Sequence, residues 1–459
     1  MNSNILTTDT IVAVATAPGT GAIAVIRLSG PEAITITNSV FKGKNLEVQA
    51  SHTLHFGTIR DGDKIIDEVL VSLFVAPHSY TKENVVEISC HGSDFIVQQI
   101  MQLLLKKGAR LANAGEFTKR AFLNGQFDLA QAEAVADLIA SDSALSHEVA
   151  MKQMRGGFSQ EIKRLRGELV HFASMIELEL DFGEEDVEFA DREQLRSLIN
   201  NIQTIIRELL KSFELGNVIK NGVPTVIVGK PNAGKSTLLN KLLNEEKAIV
   251  SDVPGTTRDF IEDEINIGGI TFRFIDTAGL RETTDKVEAI GVERTHQKLS
   301  QSALIIYLFD IAETTPEEVQ DEIAKLNPKN LPLLPVANKI DQATPEKLAS
   351  FATIDGLVQI AAAEGANLES LKQALTDKVN LGKLNTQQQT IVTNLRHVDS
   401  LQKTYEALDD VLNGLSLGIS NDLVAADIRR ALYSLGQITG EITTDDLLDN
   451  IFTKFCIGK

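Results

Sequence analysis

The 459-residue chain contains no tryptophan, only two cysteines and eleven prolines, and no long apolar run. Cys90 and Cys456 are too few for a disulfide framework and suit a reducing compartment. The most apolar stretch, residues 303–312 (ALIIYLFDIA), is interrupted by Asp310 and falls well short of the ~20 residues that span a bilayer, so it predicts a buried strand. The first ten residues hold no Lys or Arg, which argues against a signal peptide and predicts a cytoplasmic protein.

Positive charge is also scarce, because 44 Lys and Arg face 63 Asp and Glu, for a formal net charge of −19. Proteins that coat nucleic acid or anionic membranes non-specifically carry the opposite excess. If this chain handles nucleic acid, a local patch or a partner must supply the cations. What remains is an ordinary globular composition, 43% hydrophobic, in a chain long enough for about three domains.

The hydrophobic pattern changes along the chain. Short β-rich runs alternate with turns near the amino terminus, and helical periodicity begins near Asp128. A strand-rich segment from Val223 to about Leu381 interrupts the helices, which then resume. The pattern predicts a small α/β domain followed by a helical domain into which a second α/β domain is inserted. The predicted boundaries are 1–122 for the amino-terminal domain, 123–220 with 384–459 for the helical domain, and 221–383 for the inserted domain.

Residues 229–236 read GKPNAGKS, a complete G-x-x-x-x-G-K-S pattern between an apolar run and a helix-like segment. Glycines at these positions let backbone N–H groups close around phosphates at a helix N-terminus. Lys235 is predicted to contact the β- and γ-phosphates and to be catalytic, and Ser236 to ligate Mg²⁺. A Gly-rich turn without a ligand is the alternative explanation of this pattern taken alone.

Two motifs downstream make the interpretation more specific. Residues 276–279 (DTAG) follow a strand-like run, and an Asp there can hold Mg²⁺ through water. Residues 338–341 (NKID) follow the apolar LLPVA, and the Asp341 carboxylate can accept from both guanine N–H donors, which adenine lacks. NKID alone is usually a strand followed by a turn, but in this order the motifs predict a GTP site. The GTP-binding candidates in these motifs are Asn232, Ala233, Gly234, Lys235, Ser236, Thr237, Asp276, Thr277, Ala278, Gly279, Asn338, Lys339 and Asp341.

The motif order resembles the translation-factor-like GTPases, but Leu280 follows DTAG where Ras-like enzymes have a water-orienting Gln. Residues 251–259 (SDVPGTTRD) resemble the switch I of the tRNA modification GTPase family called MnmE or TrmE. The resemblance covers the whole chain, through IAVIRLSG, SYTKENVVEISCHG, GEFTKRAFLNGQFDLAQAEAVADLI and the carboxyl-terminal FCIGK. It implies a Ras-like, doubly wound P-loop GTPase domain inserted into a helical domain and preceded by a folate-binding-like α/β domain.

The resemblance also implies how GTP is hydrolysed. G domains of this family dimerise across their nucleotide faces, with K⁺ in place of an arginine finger, and Thr257 would join Ser236 on Mg²⁺. Glu288 would position the attacking water as a catalytic residue, although an acidic residue in such a region is by itself usually solvated. The K⁺ ligands carried over by motif match are Asn232, Ser251, Val253 and Thr256. The further GTP-binding residues carried over are Ser251, Asp252, Val253, Pro254, Gly255, Thr256 and Thr257.

In the amino-terminal domain, the resemblance implies dimerisation and binding of a tetrahydrofolate derivative. The folate-binding residues carried over are Arg27, Glu87, Gln126 and Lys459. Gln126 stands where a basic residue is usual, and Ser93 replaces the second glycine of an HGG motif. Arg27 has the alternative of being a surface charge that ends a strand.

Two further features are the thiol of Cys456 and the loop at residues 361–363, which the resemblance places beside the guanine base. The Cys456 thiol is a possible functional nucleophile, or it packs as a small hydrophobe in support of the folate pocket. The loop has Ala361–Ala363 where a Ser-Ala pair is usual, which removes a hydroxyl but can retain a backbone contact to the base.

The function implied by the resemblance is a K⁺-dependent GTPase acting on the wobble uridine of certain tRNAs. A homodimer would join an MnmG (GidA)-type flavoprotein, carrying FAD, in a heterotetramer without membrane attachment. Together they would add an aminomethyl or carboxymethylaminomethyl group to the 5-position, using a folate one-carbon unit. The alternatives are a ribosome-assembly GTPase, which would usually add a basic RNA-binding domain, and a stand-alone regulatory GTPase with slow turnover.

Overall fold

The computed structural model describes residues 9–181, 191–247, 263–275, 302–326, 331–379 and 390–458. The chain is divided into two compact units. The first consists of Met1–Ala136, Lys152–Gln203 and Ser400–Lys459, and the second of Asp137–Met151 and Thr204–Asp399. The finer three-domain boundaries that the sequence suggests stay a prediction.

The described part of the first unit holds a seven-stranded sheet of order β3-β4-β5-β6-β2-β1-β7, antiparallel except for the β1–β7 pair. Its strands are β1 (Ile11–Val14), β2 (Ile23–Ser29), β3 (Phe41–Lys42), β4 (Thr53–Asp61), β5 (Lys64–Phe74), β6 (Val85–His91) and β7 (Arg110–Leu111). The helices that accompany the sheet are α1 (Ala33–Val40), α2 (Asp94–Lys106) and α3 (Glu116–Leu123).

The two faces of this sheet have different surroundings because side chains alternate along each strand. Ile26 on β2 and Ile88 on β6 belong to the buried cluster that α1 and α2 cover. On the opposite face, Leu54, Phe56 and Leu70 of β4 and β5 are exposed. One face of the sheet is therefore covered, and the other carries, at β4 and β5, an apolar surface open to solvent.

Long helices make up much of the remaining described chain, as the periodicity predicts. They are α4 (Leu129–Ala140), α5 (Ala144–Met154), α6 (Gly157–Asp181), α7 (Arg192–Asn221), α12 (Leu395–Leu417), α13 (Asn421–Thr439) and α14 (Asp445–Phe452). Helix α6 packs against α13. Their buried residues recur at helical spacing, with Leu165 and Leu169 on α6 and Val424 and Ile428 on α13.

The described part of the second unit contains a six-stranded sheet of order β13-β12-β11-β8-β10-β9, parallel except for the β9–β10 hairpin. Its strands are β8 (Val223–Val228), β9 (Asp263–Ile267), β10 (Ile270–Phe274), β11 (Leu304–Asp310), β12 (Leu333–Asn338) and β13 (Val358–Gln359). The helices that accompany these strands are α8 (Lys235–Lys247), α9 (Pro316–Leu326), α10 (Pro345–Ser350) and, after the last strand, α11 (Leu368–Lys378).

Strand β11 is buried along its whole length, which confirms the buried strand predicted from its apolar run. Its Ile306 and Leu308 face the cluster that includes α8 and α11, whereas Tyr307 and Phe309 face the cluster that includes α9. Helices therefore cover both faces of a mostly parallel sheet, and the doubly wound fold is confirmed.

None of the described helices is both long enough and apolar enough to cross a bilayer.

Candidate functional site

The phosphate-binding pattern lies where β8 ends and α8 begins. The loop turns at Gly234, whose φ of +96° is unfavourable for residues with a Cβ. A Cβ at Gly234 would also overlap the Asn338 side-chain nitrogen, and one at Gly229 would overlap the Leu308 carbonyl oxygen on β11. Both glycines are therefore required by close approach as well as by conformation.

Lys235 opens α8, and its side chain folds back over the loop that precedes it. Its Nζ donates to the carbonyl oxygens of Gly229 and Lys230, both at 2.9 Å. Burial lowers the pKa of Lys235. Ser236 and Thr237 follow in the first helical turn, and the N-terminal end of a helix attracts anions.

Asn338 connects three segments of the site at the end of β12. Its Nδ2 donates to the Ala233 carbonyl oxygen at 2.8 Å, and its Oδ1 accepts from the Ala362 backbone N–H at 2.9 Å. The phosphate loop, the NKID segment and the alanine loop are thereby held together at the carboxyl ends of parallel strands, the edge at which such sheets bind ligands. Asp341 lies exposed on the short 3₁₀ turn Ile340–Gln342.

Lys339 adopts a left-handed backbone, with φ of +64°, and its Nζ lies 2.6 Å from the buried Asp310 carboxylate on β11. Asn232 in the phosphate loop is also left-handed and is exposed. Ala233, the next residue of the same loop, is buried. The structure thus brings together all the candidates of the first and third nucleotide motifs.

The other nucleotide-site predictions fall outside the described residues. They are Ser251, Asp252, Val253, Pro254, Gly255, Thr256, Thr257, Asp276, Thr277, Ala278, Gly279 and Glu288. Of the four predicted K⁺ ligands only Asn232 is described, and of the two predicted Mg²⁺ ligands only Ser236. Within the described stretches, no group of three or more His, Cys, Asp or Glu side chains could hold a metal ion.

A second candidate site lies on the outer face of the first sheet, where Arg27 of β2 stands opposite Glu87 of β6. The Nε and Nη2 atoms of Arg27 each lie 2.8 Å from Glu87 Oε1. The guanidinium carbon is 5.9 Å from the Tyr80 ring centroid and 5.7 Å from that of Phe117. The two side chains are 22% and 27% exposed, so a charged pair with aromatic walls stays accessible to a ligand.

The carboxyl-terminal segment docks beside this pair. Ile457 forms an antiparallel bridge with Ala114, and the Gly458 carbonyl oxygen accepts from Arg27 Nη1 at 3.2 Å. Lys459 lies outside the described residues, but its neighbour contacts Arg27. The Cys456 thiol is free and exposed, while its backbone carbonyl accepts from the Gly115 N–H.

Gln126, the fourth predicted folate contact, is exposed just after α3. Its backbone N–H donates to the Ala121 carbonyl oxygen at 2.8 Å. The ring of the next residue, Phe127, lies 5.7 Å from that of Tyr80, which packs over Arg27. Gln126 is therefore one residue away from the aromatic wall of this site.

Sequence reasoning missed several residues that build these sites. Tyr80 donates to or accepts from the Thr118 hydroxyl at 2.8 Å, and burial raises its pKa. Its position inside SYTKENVVEISCHG, a segment carrying the family resemblance, was the available signal. Asp310 had a plainer signal, since it is the single charge in an otherwise apolar run.

An ionic network fixes α3 beneath the second site. Arg120, 2% exposed, lies 2.6 Å from Asp9 and 3.1 Å from Glu116. Arg110 pairs with the same two carboxylates at 2.6 and 2.5 Å. Burial would raise the pKa of Asp9 and of Glu116, but hydrogen bonds from the arginines outweigh it and lower both pKa values.

Comparison with known proteins gives two family models that match the chain. The model described as GTP-binding protein TrmE N-terminus matches residues 10–126, and the MnmE helical domain model matches residues 129–456. A relative from Cytophaga hutchinsonii, named tRNA modification GTPase MnmE, is 61% identical and is covered over 98% of both chains. Relatives of the same name from Flavobacterium psychrophilum and Bacteroides fragilis are 56% and 53% identical, with 98% of this chain and 99% of each relative covered.

One model matches more than half of the chain, and these relatives share more than half of its residues nearly from end to end. The chain therefore belongs to the MnmE family of tRNA modification GTPases.

Proposed function

We propose that this chain is a K⁺-dependent GTPase whose hydrolysis cycle serves modification of the wobble uridine of certain tRNAs. The observation that carries the nucleotide part is the double hydrogen bond of Asn338, which joins the phosphate loop to the NKID segment and the alanine loop. The groups that would bind phosphate and read the base are thereby held together at the carboxyl ends of the parallel strands. This arrangement suits a nucleoside triphosphate and provides a carboxylate for guanine.

The described residues would divide the work of binding GTP. Backbone N–H groups of the phosphate loop and the first turn of α8 would hold the phosphate oxygens, and Lys235 would turn from its two carbonyl partners to the β- and γ-phosphates. The Asp341 carboxylate would accept from the guanine N–H donors. Ser236, at the start of α8, has the hydroxyl position that suits Mg²⁺.

Bound K⁺ would neutralise charge that develops between the phosphates during hydrolysis. The side-chain oxygen of Asn232 would hold it together with oxygens of Ser251, Val253 and Thr256, which is how the family resemblance places them. Asn232 fits this role because it is exposed on a left-handed turn of the phosphate loop. Glu288 would orient the attacking water, since Leu280 lacks the hydrogen-bonding group of the usual Gln.

We also propose that the Arg27 site binds a tetrahydrofolate derivative. Arg27 would donate to a ligand carboxylate or ring oxygen, and Glu87 would accept from ring N–H groups. The aromatic walls of Tyr80 and Phe117 suit a planar heterocycle. Gln126 and Lys459 would complete the contacts, and Cys456 would lie close to the ligand as either a nucleophile or a structural residue.

The proposed assembly is a cytoplasmic homodimer in a heterotetramer with an MnmG-type flavoprotein that carries FAD. The exposed apolar face with Leu54, Phe56 and Leu70 offers a surface of the kind that a second copy of this chain would bury. The net charge of −19 supports sharing tRNA with a partner rather than binding it alone. The product would carry an aminomethyl or carboxymethylaminomethyl group at the uridine 5-position.

The proposal is tested by mass spectrometry of tRNA nucleosides from a strain that lacks this gene. The 5-substituted wobble uridine should be lost, should return with the wild-type gene, and should stay absent with Lys235→Ala. Glu322→Gln, which removes one exposed ion pair on α9, serves as the matched control and should restore modification. Normal modification in the deletion strain would contradict the proposal, and a simultaneous defect in ribosomal subunits would favour a ribosome-assembly GTPase.

A further inference from the structure

Asp310 is a buried carboxylate at the end of β11, where every preceding side chain of the strand is apolar. Its side chain is only 8% exposed. Its Oδ1 accepts from the Ala312 backbone N–H at 3.0 Å, and its Oδ2 lies 2.6 Å from Lys339 Nζ. A carboxylate in such a place is unfavourable unless hydrogen bonds and an opposite charge compensate for lost hydration, and here both are present.

The partner residue, Lys339, has an unfavourable backbone conformation. Its φ of +64° and ψ of +39° lie in the left-handed region, which residues with a Cβ adopt only where surrounding contacts hold them. It stands between Asn338, which is fixed by its own two hydrogen bonds, and the 3₁₀ turn that carries Asp341. Its side chain forms the ion pair with Asp310, a contact that can hold Lys339 in this conformation.

The pairing of β11 with β12 places Asp310 beside the NKID segment. Strands β11 and β12 pair in parallel, with Asp310 opposite Asn338, and the Ile311 backbone N–H donates to the Asn338 carbonyl oxygen at 3.1 Å. Movement of the Asp310–Lys339 pair would therefore be transmitted directly to the NKID backbone. The contacts of Asp310 and Lys339 themselves stay within β11 and the NKID segment, and Asn338 continues to the phosphate loop through its hydrogen bond to the Ala233 carbonyl oxygen.

We infer that Asp310 is a positioning residue for the guanine nucleotide, acting through Lys339 to hold the NKID segment in its base-reading conformation. The inference rests on the GTP site proposed above. Asp310 itself would touch neither base nor phosphate. Its loss should therefore weaken nucleotide binding and raise KM for GTP, while kcat at saturating GTP stays close to that of the wild type.

The test compares full-length variants by titration with a fluorescent GDP analogue and by steady-state hydrolysis. Asp310→Asn keeps the acceptor for the Ala312 N–H but removes the charge, and Asp310→Ser does the same with a hydroxyl. Each should bind GDP about tenfold more weakly, the scale of one lost hydrogen bond to a charged group. Glu322→Gln, a carboxylate-to-amide change at an exposed ion pair of the same unit, should bind like the wild type.

A double-mutant cycle with Lys339→Met separates positioning from general stability. If Asp310 acts through Lys339, Asp310→Asn combined with Lys339→Met should bind GDP no more weakly than the weaker single variant. Independent, multiplying losses would overturn the inference, as would Asp310 variants that melt at lower temperature but bind GDP normally. Failure of the wild type to bind GDP would instead overturn the proposed GTP site and this inference together.

Discussion

Asp341 is the residue assigned to base selection, and its exposed position on the Ile340–Gln342 turn leaves its carboxylate available to a ligand. We predict that Asp341→Asn weakens GTP binding by roughly 10- to 100-fold, because two charge-assisted hydrogen bonds to guanine are lost. The same variant should gain affinity for xanthosine triphosphate, whose extra carbonyl can accept from the amide. Competitive titration with both nucleotides measures this exchange, and an unchanged preference would remove Asp341 from base selection.

At the second candidate site, Arg27 is the residue proposed to contact the ligand. We predict that Arg27→Ala lowers the affinity for a tetrahydrofolate derivative about tenfold, because a charge-assisted contact to the ligand is lost. Arg60→Ala, on β4 of the same sheet, is the matched control and should bind like the wild type. In calorimetry, absence of folate binding by the wild type would contradict the site, and equal affinity of Arg27→Ala would contradict the residue assignment.

Residue roles that depend on a local motif could be predicted from the sequence, whereas those that depend on distant partners could not. Lys235 and Asn338 were found because the spacing of their motifs carries the chemistry. The family resemblance placed Glu87 in the same site as Arg27, but the contact of Arg27 with the Gly458 carbonyl was not predicted, since Gly458 is 431 residues away and only the fold brings it there. Asp310 was noticed only as a charge that interrupts an apolar run, because its pairing with Lys339 requires the register of β11 and β12.

Hydrophobic periodicity predicted the buried strand β11 and the helical stretches, whereas β4 lacks the pattern of a half-buried strand. That strand exposes Leu54 and Phe56 on the outer face and has a glycine, Gly57, on the inner face. A Cβ at Gly57 would overlap the Phe41 ring, so the aromatic ring fills the place of the missing side chain. In this part of β4 the large apolar side chains therefore lie on the exposed face, which is the reverse of the pattern in an ordinary half-buried strand.

The ionic network around α3 can be tested, because Glu116 and Arg120 of this helix pair with Arg110 and Asp9 outside it. Both carboxyl pKa values are lowered from their ordinary 3.8 and 4.5. A carboxyl with a lowered pKa stabilises the folded state above its unfolded pKa, and that stabilisation is lost as the pH falls through the folded pKa. Stability of this domain should therefore fall as the pH drops below about 4.5.

We predict that Glu116→Gln destabilises the chain at pH 6 by about 2 kcal/mol, because the buried Arg120 guanidinium loses one of its carboxylate partners and keeps only Asp9 and Glu83. The variant should also lose less stability between pH 6 and pH 3 than the wild type does. Calorimetric melting of the full-length chain over this range measures both effects. Glu161→Gln, at an exposed pair on α6, is the control, and a Glu116→Gln profile parallel to the wild type would contradict the network's role.

The charge of the whole molecule bears on how it would handle tRNA. A groove of about 520 Å³ on α12 and α13 is lined in part by Arg429 and Arg430. Arg429 pairs with Glu177, and Arg430 pairs with Asp410 and Asp427. Positive charge in this groove is already compensated, which agrees with the proposal that a partner supplies cations for tRNA.

We propose that the G domains of two copies join around K⁺ and hydrolyse GTP without an arginine finger. Exchange of K⁺ for Na⁺ should weaken both dimerisation and hydrolysis, because the cation contributes to the dimer face and to the transition state. Glu288→Ala should lower the rate by roughly 10²-fold while GTP affinity and K⁺-dependent dimerisation stay nearly intact. This result would separate activation of the attacking water from dimerisation.

The most direct measurement is single-turnover GTP hydrolysis by the full-length chain in KCl and in NaCl at equal ionic strength. We predict fast hydrolysis by the wild type in KCl, a much slower rate in NaCl, and a slow rate for Glu288→Ala in both salts. Equal wild-type rates in the two salts would contradict the potassium-dependent mechanism, and a Glu288→Ala rate equal to that of the wild type in KCl would contradict the assignment of Glu288.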